Sequence, residues 1–183
     1  MNQITVILQP VKTNELDELK QKIQEAFAVS VEETFGSLDE PIPSDKDLEK
    51  AFYGEHSAIY HIVWNGKRVG GVVLSIDSST NHNSVDFLFI SPEYHSMGIG
   101  TAAWTAIEKQ YPETVVWNLA TPYFEKRNIH FYVNECGFKI VAFWNRFFPD
   151  PHTEWNEPEE NFPEGSDEMF YFEKIMKFCK LEL

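Results

Sequence analysis

The sequence predicts a single α/β (α+β) domain whose mixed, mostly antiparallel sheet is flanked by helices. Three observations support this prediction. A chain of 183 residues with 43% hydrophobic side chains is long enough for one hydrophobic core. Consecutive strands in the middle of the chain favour a mixed sheet over an all-parallel one. The elements follow the order β-α-α-β-β-β-α-β-α-β-β without an internal repeat or a linker, so we predict one domain over residues 1–183.

The N-terminal quarter predicts one strand and two helices. Residues 3–9 are apolar and β-branched, as in a first strand. Asn14 is a candidate N-cap for a long helix that Gly36 ends. Ser44 caps a second, short helix, which Gly54 ends. The long helix carries one apolar face, formed by Leu16, Leu19, Ile23, Ala26 and Phe27.

A hairpin signal follows. Ala58–Trp64 and Lys67–Asp77 read as strands, and the pair Asn65-Gly66 between them is typical of a type I′ turn. The polar turn Ser78–Asn83 leads into a third strand that includes Val85–Ile90.

The second half of the chain alternates helices and strands. Gly137 is a candidate left-handed helix end, and Tyr132 and Cys136 recur at helical spacing before it. The predicted elements are the helix Gly98–Gln110, the strand Thr114–Ala120, the helix Glu125–Glu135, and the strands Phe138–Phe148 and Met169–Lys177.

The segment 149–168 differs from the rest, because it holds eight acidic residues, four prolines and no Lys or Arg. We predict a long acidic loop between the last two strands. Trp155 and Phe162 lie among its carboxylates, a combination that suits an organic cation. A solvated surface loop accounts equally well for this composition.

Composition excludes several functions. A net charge of −14 predicts repulsion of nucleic acid and of anionic membranes, and attraction of a cationic molecule or basic peptide, although acidity also aids solubility. Two cysteines, Cys136 and Cys179, form neither a disulfide framework nor a metal-ligand pattern, so we expect no metal. The sequence shows no signal peptide and no membrane span, which predicts a cytoplasmic location.

The segment Val85–Trp104 reads as an apolar strand, a tight polar turn with two glycines, and a helix that opens at once. A helix start offers backbone N–H groups and a partial positive charge, and glycines let a phosphate approach. Ala103 replaces the third glycine of a dinucleotide-binding fingerprint, and the P-loop Lys-Ser/Thr is absent. The segment predicts a pyrophosphate cradle, with a purely structural turn as the alternative.

Two motifs resemble the GNAT N-acetyltransferase superfamily. The first is the strand, Pro92, the aromatic Tyr94 and the run His95-Ser96-Met97-Gly98-Ile99-Gly100, similar to [Gln/Arg]-x-x-Gly-x-[Gly/Ala]. The second is the helix end Phe131-Tyr132-Val133-Asn134-Glu135-Cys136-Gly137-Phe138, similar to Phe-Tyr-x-x-x-Gly-Phe with one residue more. The order of elements also matches over nearly the whole chain, although the first 55 residues match only in pattern.

This resemblance implies acetyl-CoA as co-substrate. The backbone N–H groups of Met97 to Ala102 would hold the pyrophosphate, and the strand end Phe89–Ser91, opened by a β-bulge nearby, would pair with the pantetheine arm. His95 stands where the family has Gln or Arg, and Glu125 where many relatives have Asn. The candidate cofactor-binding residues are Phe89, Ile90, Ser91, His95, Ser96, Met97, Gly98, Ile99, Gly100, Thr101, Ala102 and Asn128.

Two residues are catalytic candidates. The resemblance implies that the Tyr132 hydroxyl protonates the departing thiolate. The alternative is that Tyr132 is only a core residue. Counting back from Gly137 instead puts Val133 at the position of the motif tyrosine. Asp86, flanked by apolar residues that raise its pKa, is a candidate base for the acceptor amine, or else an acid that faces water. Further candidate bases are Glu32, Glu33 and Glu55.

The sequence therefore predicts an N-acetyltransferase that moves the acetyl group of acetyl-CoA to a primary amine. Attack is expected to be direct, because no activated Cys or Ser indicates an acyl-enzyme. The sequence does not identify the acceptor, which is a small-molecule amine or a peptide. It also does not decide whether the protein forms a homodimer. The alternatives are another acyl donor, acetylation of a protein N-terminus or lysine, and a non-catalytic CoA-binding regulatory or interaction protein.

Overall fold

A computed structural model describes residues 4–38, 40–151, 165–166 and 168–176. Cys179, Trp155, Phe162 and most of the acidic segment 149–168 lie outside the described residues. The chain divides into two compact units, Met1–Trp117 with Ile175–Leu183, and Asn118–Lys174. That residues 1–183 form one domain stays a prediction. Of the helices in the described ranges, none is both long and apolar enough to cross a membrane.

The helices and strands confirm the predicted fold class, a mixed seven-stranded sheet flanked by helices, and the predicted order along the chain. Two short 3₁₀ turns precede α1 and α3, and a π-helical turn follows α4. The bounds are β1 Ile7–Pro10, α1 Leu16–Phe35, α2 Asp45–Phe52, β2 Ser57–Trp64, β3 Lys67–Ser75, β4 His82–Ile90, α3 Ile99–Gln110, β5 Val116–Pro122, α4 Lys126–His130, β6 Lys139–Trp144 and β7 Met169–Ile175.

In the first unit, β1 to β4 are antiparallel neighbours in chain order. Asn65 (φ 50°) and Gly66 (φ 75°) both have positive φ, which confirms the type I′ turn between β2 and β3. The helices α1 and α2 cover one face of these strands. The buried residues of this interface are Leu16, Leu19, Ile23, Leu48, Phe52, Val73 and Phe89.

The first helix starts differently from the prediction. Instead of an Asn14 cap, a 3₁₀ turn at Thr13–Glu15 precedes α1. The Glu15 carboxylate accepts the Lys12 N–H at 2.9 Å and the Arg68 guanidinium at 2.5 Å. These two contacts hold the pKa of Glu15 at about 2. The predicted Ser44 cap is confirmed, since its hydroxyl accepts the Asp47 N–H of α2 at 3.2 Å.

In the first unit, the strands β1 and β3 are shorter than predicted. The first strand begins at Ile7, and the described residues 4–6 before it are not in a strand, because its partner β2 ends at Trp64. Residue 3, where the predicted strand began, lies outside the described residues. The strand β3 ends at Ser75 rather than Asp77, because the Asp77 carboxylate accepts the N–H of Ser79 at 2.8 Å and starts a turn. The first difference arises from the partner strand, and the second from a local turn.

In the second unit, β7 pairs antiparallel with β6, which ends at Trp144 rather than Phe148. The Asn145 side chain accepts the Phe147 N–H at 2.9 Å and turns the chain there. The predicted helix Glu125–Glu135 is α-helical only to His130 and continues as a π-helical turn. Gly137 has φ 80°, which confirms the predicted left-handed helix end.

Candidate active site

A tight turn connects the end of β4 to the start of α3. The Ser91 N–H donates to the Val69 carbonyl at 2.8 Å, which keeps the strand end on β3. The N–H groups of Tyr94 and His95 donate to the carbonyls of Ser91 and Pro92 at 2.9 and 3.1 Å. These bonds fold residues 91–95 back, so that the next residues enter the helix directly.

The backbone of this turn forms a concave surface of N–H groups. Ser96 (φ 61°) and Gly98 (φ 75°) are left-handed, a geometry that turns successive N–H groups toward one point and favours anions. The Ala102 N–H makes the first helical bond, to the Gly98 carbonyl at 3.1 Å. The earlier N–H groups of α3 therefore point out of its N-terminus, where the helix dipole is positive. The Ala102 N–H is used in that helical bond and is not offered to an anion, so of the predicted run Met97 to Ala102 it is the residues up to Thr101 that precede the first helical bond. Their binding of a pyrophosphate stays a prediction.

His95 has a second contact within this turn. Its Nε2 lies 2.6 Å from the Ile90 carbonyl oxygen; because the carbonyl only accepts, Nε2 carries the proton and donates. The ring therefore ties the turn to the strand end that is predicted to pair with pantetheine. A phosphate contact of His95 stays a prediction.

Gly70 was not among the sequence candidates. It lies opposite Ile90 on β3, and a Cβ atom there would clash with the Phe89 carbonyl oxygen and approach Ile90 Cα to 3.1 Å. The missing side chain lets the end of β4 come close to β3. The Gly70-Gly71 pair inside a strand pattern was the available signal, because glycine in a strand often marks a close backbone approach.

We expect Gly70→Ala to weaken CoA binding at least tenfold and to lower the free energy of unfolding by about 1–3 kcal/mol, as overpacking does. The added methyl group must displace the Phe89–Ile90 backbone. Calorimetry with CoA and urea unfolding measure the two effects. Gly71→Ala is the comparison, because its methyl group would meet the ends of the Leu19 and Phe89 side chains, at 2.8 Å, rather than backbone. Equal CoA affinity in wild type and Gly70→Ala would contradict the role of this strand end.

Asp86 occupies a β-bulge. Val73 pairs with Phe87 and Leu74 with Val85, so Asp86 is the extra residue on β4. The bulge lies earlier in the strand than the Phe89–Ser91 end near which it was expected. The half-buried carboxylate accepts the Ser84 hydroxyl at 2.8 Å. Burial raises the pKa of Asp86 above its ordinary value, and the bond from Ser84 offsets part of that rise.

Tyr132 lies in the core of the second unit. Its side chain is 7% exposed, and its ring centroid lies 5.1 Å from Phe131, 5.8 Å from Phe138 and 5.9 Å from Phe172. Burial raises the pKa of Tyr132, and the neighbouring Cys136 and Glu125 raise it further. The phenol therefore stays protonated at neutral pH.

The π-helical turn accounts for the extra residue in the second motif. The Cys136 N–H donates to the Phe131 carbonyl at 3.0 Å, a bond that spans five residues, whereas Ile129 to Glu125 is an ordinary four-residue bond. The insertion is thus absorbed after the regular part of the helix. Tyr132 is buried and Val133 only half-buried, which supports Tyr132 rather than Val133 as the match to the motif tyrosine.

The remaining candidates differ in exposure. Asn128 is half-buried on α4, and the side chain of Glu125 is buried. Glu32, Glu33 and Glu55 are all exposed. Within the described part of the chain, no group of His, Cys, Asp or Glu side chains could hold a metal ion.

The sequence and fold were compared with those of known proteins. Residues 18–138 match the acetyltransferase (GNAT) family. The chain is 53% identical over 178 residues, 96% of each chain, to the uncharacterized protein YrkN of Bacillus subtilis (strain 168). Its fold is similar to a Bacillus subtilis acetyltransferase in complex with CoA (TM-score 0.63, 18% identity, 96% of this chain and 100% of that one). It is also similar to the ribosomal-protein-S18-alanine N-acetyltransferase of Escherichia coli (TM-score 0.65, 13% identity, 98% and 99%).

Proposed function

The chain belongs to the acetyltransferase (GNAT) family, and from that premise we propose that it transfers the acetyl group of acetyl-CoA to a primary amine by direct attack. The observation that carries the proposal is the turn between β4 and α3. Its left-handed Ser96 and Gly98 and the helix start behind them form a backbone anion site of the kind that a pyrophosphate requires.

The strand end beside this turn supports the same proposal. Ser91 is bonded to Val69, and His95 donates to the Ile90 carbonyl, so the residues predicted to pair with pantetheine are held in place. A bound thioester would supply an activated acetyl group. This chain would contribute a rigid strand edge that orients it.

Asp86 is the proposed base. An acceptor amine is an ammonium ion at neutral pH and must lose a proton before it attacks a carbonyl carbon. A carboxylate with a raised pKa is a stronger base than an ordinary Asp, and Asp86 meets this condition through burial in the bulge. The neutral amine then attacks the thioester carbonyl, and the C–S bond breaks as the amide bond forms. The second proton that the nitrogen loses goes to the departing thiolate, which leaves as the CoA thiol.

Tyr132 is the proposed partner of the leaving sulfur, as its motif implies. Because burial keeps the phenol protonated, its hydroxyl can donate a hydrogen bond to a developing thiolate. The deep packing of its ring would fix the direction of that hydrogen bond.

The test is acetyl transfer from acetyl-CoA to a panel of amino acids, polyamines, amino sugars and short peptides, in wild type and Asp86→Asn. We expect kcat/KM of the wild type to rise with pH through the raised pKa of Asp86, because only the ionised carboxylate accepts the proton. In Asp86→Asn the rate should fall about a hundredfold or more, and the rise of kcat/KM with pH should disappear. Asp17→Asn, on the exposed side of α1, is the matched control.

Other results would decide between the alternatives. Transfer to peptide N-termini or lysines but not to small amines would favour a protein acceptor. CoA binding without transfer to any amine would contradict the enzymatic proposal and favour a regulatory CoA-binding protein. An unchanged pH profile in Asp86→Asn would remove Asp86 from the mechanism.

A further inference from the structure

Strand register places three serines in a row across the sheet of the first unit. Ser57 on β2 lies opposite Ser75 on β3, and Ser75 lies opposite Ser84 on β4. Directly opposed residues of antiparallel strands point to the same face, with their Cβ atoms about 4.5–5.5 Å apart. We call Ser57, Ser75 and Ser84 the serine row. Three hydroxyl groups thus share one face of adjacent strands.

The face of the serine row is the one that α1 and α2 cover. Val73 and Ile59 belong to the apolar cluster beneath these helices, and Ser75 and Ser57 are two residues further along the same strands. Side chains two residues apart on a strand point to the same side. Beyond the cluster, this face therefore changes from apolar to polar.

The serine row ends at Asp86. The Ser84 hydroxyl donates to Asp86 Oδ1 at 2.8 Å, so its proton is directed at the carboxylate. All three serines and Asp86 are half-buried. The carboxylate is thereby bonded to the hydroxyl group at one end of the row.

The other end of the serine row meets a cavity. Ser57 Oγ is enclosed by protein and has no hydrogen-bond partner within the described residues. A buried hydroxyl without a partner costs free energy, so its presence calls for an explanation. Ser57 also lines a cavity of about 460 Å³, together with Phe52, Tyr53 and Ile59. The cavity opens to solvent, and Ser57 is the member of the serine row that lines it.

We infer that the serine row and Asp86 form the acceptor subsite, and that the acceptor is a primary amine that carries hydroxyl groups, such as an amino alcohol or amino sugar. This inference rests on the proposed acetyl transfer. Asp86 would take the ammonium group. Each serine hydroxyl is one donor and two acceptors, which complements a hydroxyl group of the acceptor.

The chemistry of the serine row disfavours other amines. A plain alkylamine would cover the hydroxyl groups and leave them without partners, which costs binding free energy. A polyamine requires several carboxylates at intervals, whereas among the described residues the carboxylate that accepts a hydrogen bond from the serine row is that of Asp86. The row thus selects by hydroxyl groups rather than by charge.

Matched acceptor pairs test this inference. We compare kcat/KM for 2-amino-1,3-propanediol against isopropylamine, and for glucosamine against cyclohexylamine, in wild type and Ser75→Ala. The wild type should prefer the hydroxylated member by about tenfold or more, the effect of one or two polar contacts. Ser75→Ala should lose most of that preference, because kcat/KM falls for the hydroxylated member and does not fall for the alkylamine, which no longer covers an unpartnered hydroxyl group. Ser78→Ala, in the exposed turn after β3, is the control.

The outcomes separate the two proposals. If the wild type acetylates both members of each pair equally well, or if Ser75→Ala keeps the preference, the hydroxyl selection is wrong and the acetyl transfer stands. If no amine is acetylated, the proposed function fails. Calorimetric binding of 2-amino-1,3-propanediol in the presence of CoA then still tests the subsite. Binding that Ser75→Ala weakens about tenfold would support the subsite, and absence of binding would overturn it.

Discussion

Replacing Gly98 with valine is expected to lower CoA affinity at least about a hundredfold, to the limit of calorimetric detection. Gly98 has φ 75°, in the left-handed region. Most non-glycine residues there are strained by about 1–2 kcal/mol, and a β-branched side chain such as valine is strained by more. Relief of this strain requires the turn to rotate, and the N–H groups at the start of α3 would then cease to converge. The valine side chain would also occupy the space that glycine leaves for a phosphate.

Gly66→Val is the matched control. Gly66 also has φ 75°, but it lies in the β2–β3 hairpin turn, where a Cβ atom meets nothing within 4 Å. Both variants therefore carry a similar backbone strain, and urea unfolding should show similar losses of stability. Only Gly98→Val should lose CoA binding. If the two variants bind CoA equally well, the phosphates are held elsewhere.

Tyr132→Phe is expected to lower kcat about 10- to 100-fold, with little change in CoA affinity. The change removes one hydroxyl group and keeps the ring contacts with Phe131, Phe138 and Phe172. Loss of a hydrogen bond to a charged group costs about 1.5–3 kcal/mol, which gives the expected range.

The direction of the pKa shift decides how Tyr132 would act. An ordinary phenol has a pKa near 10 and an ordinary thiol near 8.5, so complete proton transfer from the phenol to a thiolate is already uphill by about 2 kcal/mol. Burial raises the pKa of Tyr132 and increases this cost. The hydroxyl is therefore a better hydrogen-bond donor to the sulfur than a full proton donor. This refines the role that the motif implies.

Two control variants accompany Tyr132→Phe. Tyr123→Phe removes a hydroxyl from a 46% exposed residue of the same unit and should leave kcat unchanged. The pair exchange Tyr132→Val with Val133→Tyr should be as slow as Tyr132→Phe, because the π-helical turn places Tyr132 rather than Val133 in the buried position. Faster turnover in the exchanged variant would show that Val133 occupies the position of the motif tyrosine.

Local sequence signals predicted those parts of the fold that a few neighbouring residues decide. Asn65-Gly66 predicted its turn because both residues accept positive φ, and Ser44 predicted its cap because the Asp47 N–H lies within reach. The Asn14 cap was wrong, because a 3₁₀ turn occupies Thr13–Glu15 and Glu15 is held both by the nearby Lys12 N–H and by Arg68, 53 residues away in the chain. Strand ends were wrong for two reasons: the partner strand β2 limits β1, whereas β3 and β6 end at turns in which Asp77 and Asn145 accept backbone N–H groups.

The candidate site shows the same division. The two glycines, the helix start and the Tyr132 motif were visible in the sequence, and so was the expectation that burial raises the pKa of Asp86. The position of the bulge was not visible, because one unpaired residue on β4 is defined only by its partners on β3. The π-helical turn accounts for the extra residue before Gly137, which spacing alone left open between Tyr132 and Val133.

By itself, the sequence determined the family resemblance, the order of the elements and the turn at Gly98, because each depends on residues adjacent in the chain. The tertiary structure alone decided the register of β2, β3 and β4, and with it the serine row, the close approach at Gly70 and the bulge at Asp86. The physical reason is that register is set by how strands and helices share one core, and a shift of a single residue turns every side chain of a strand to the other face.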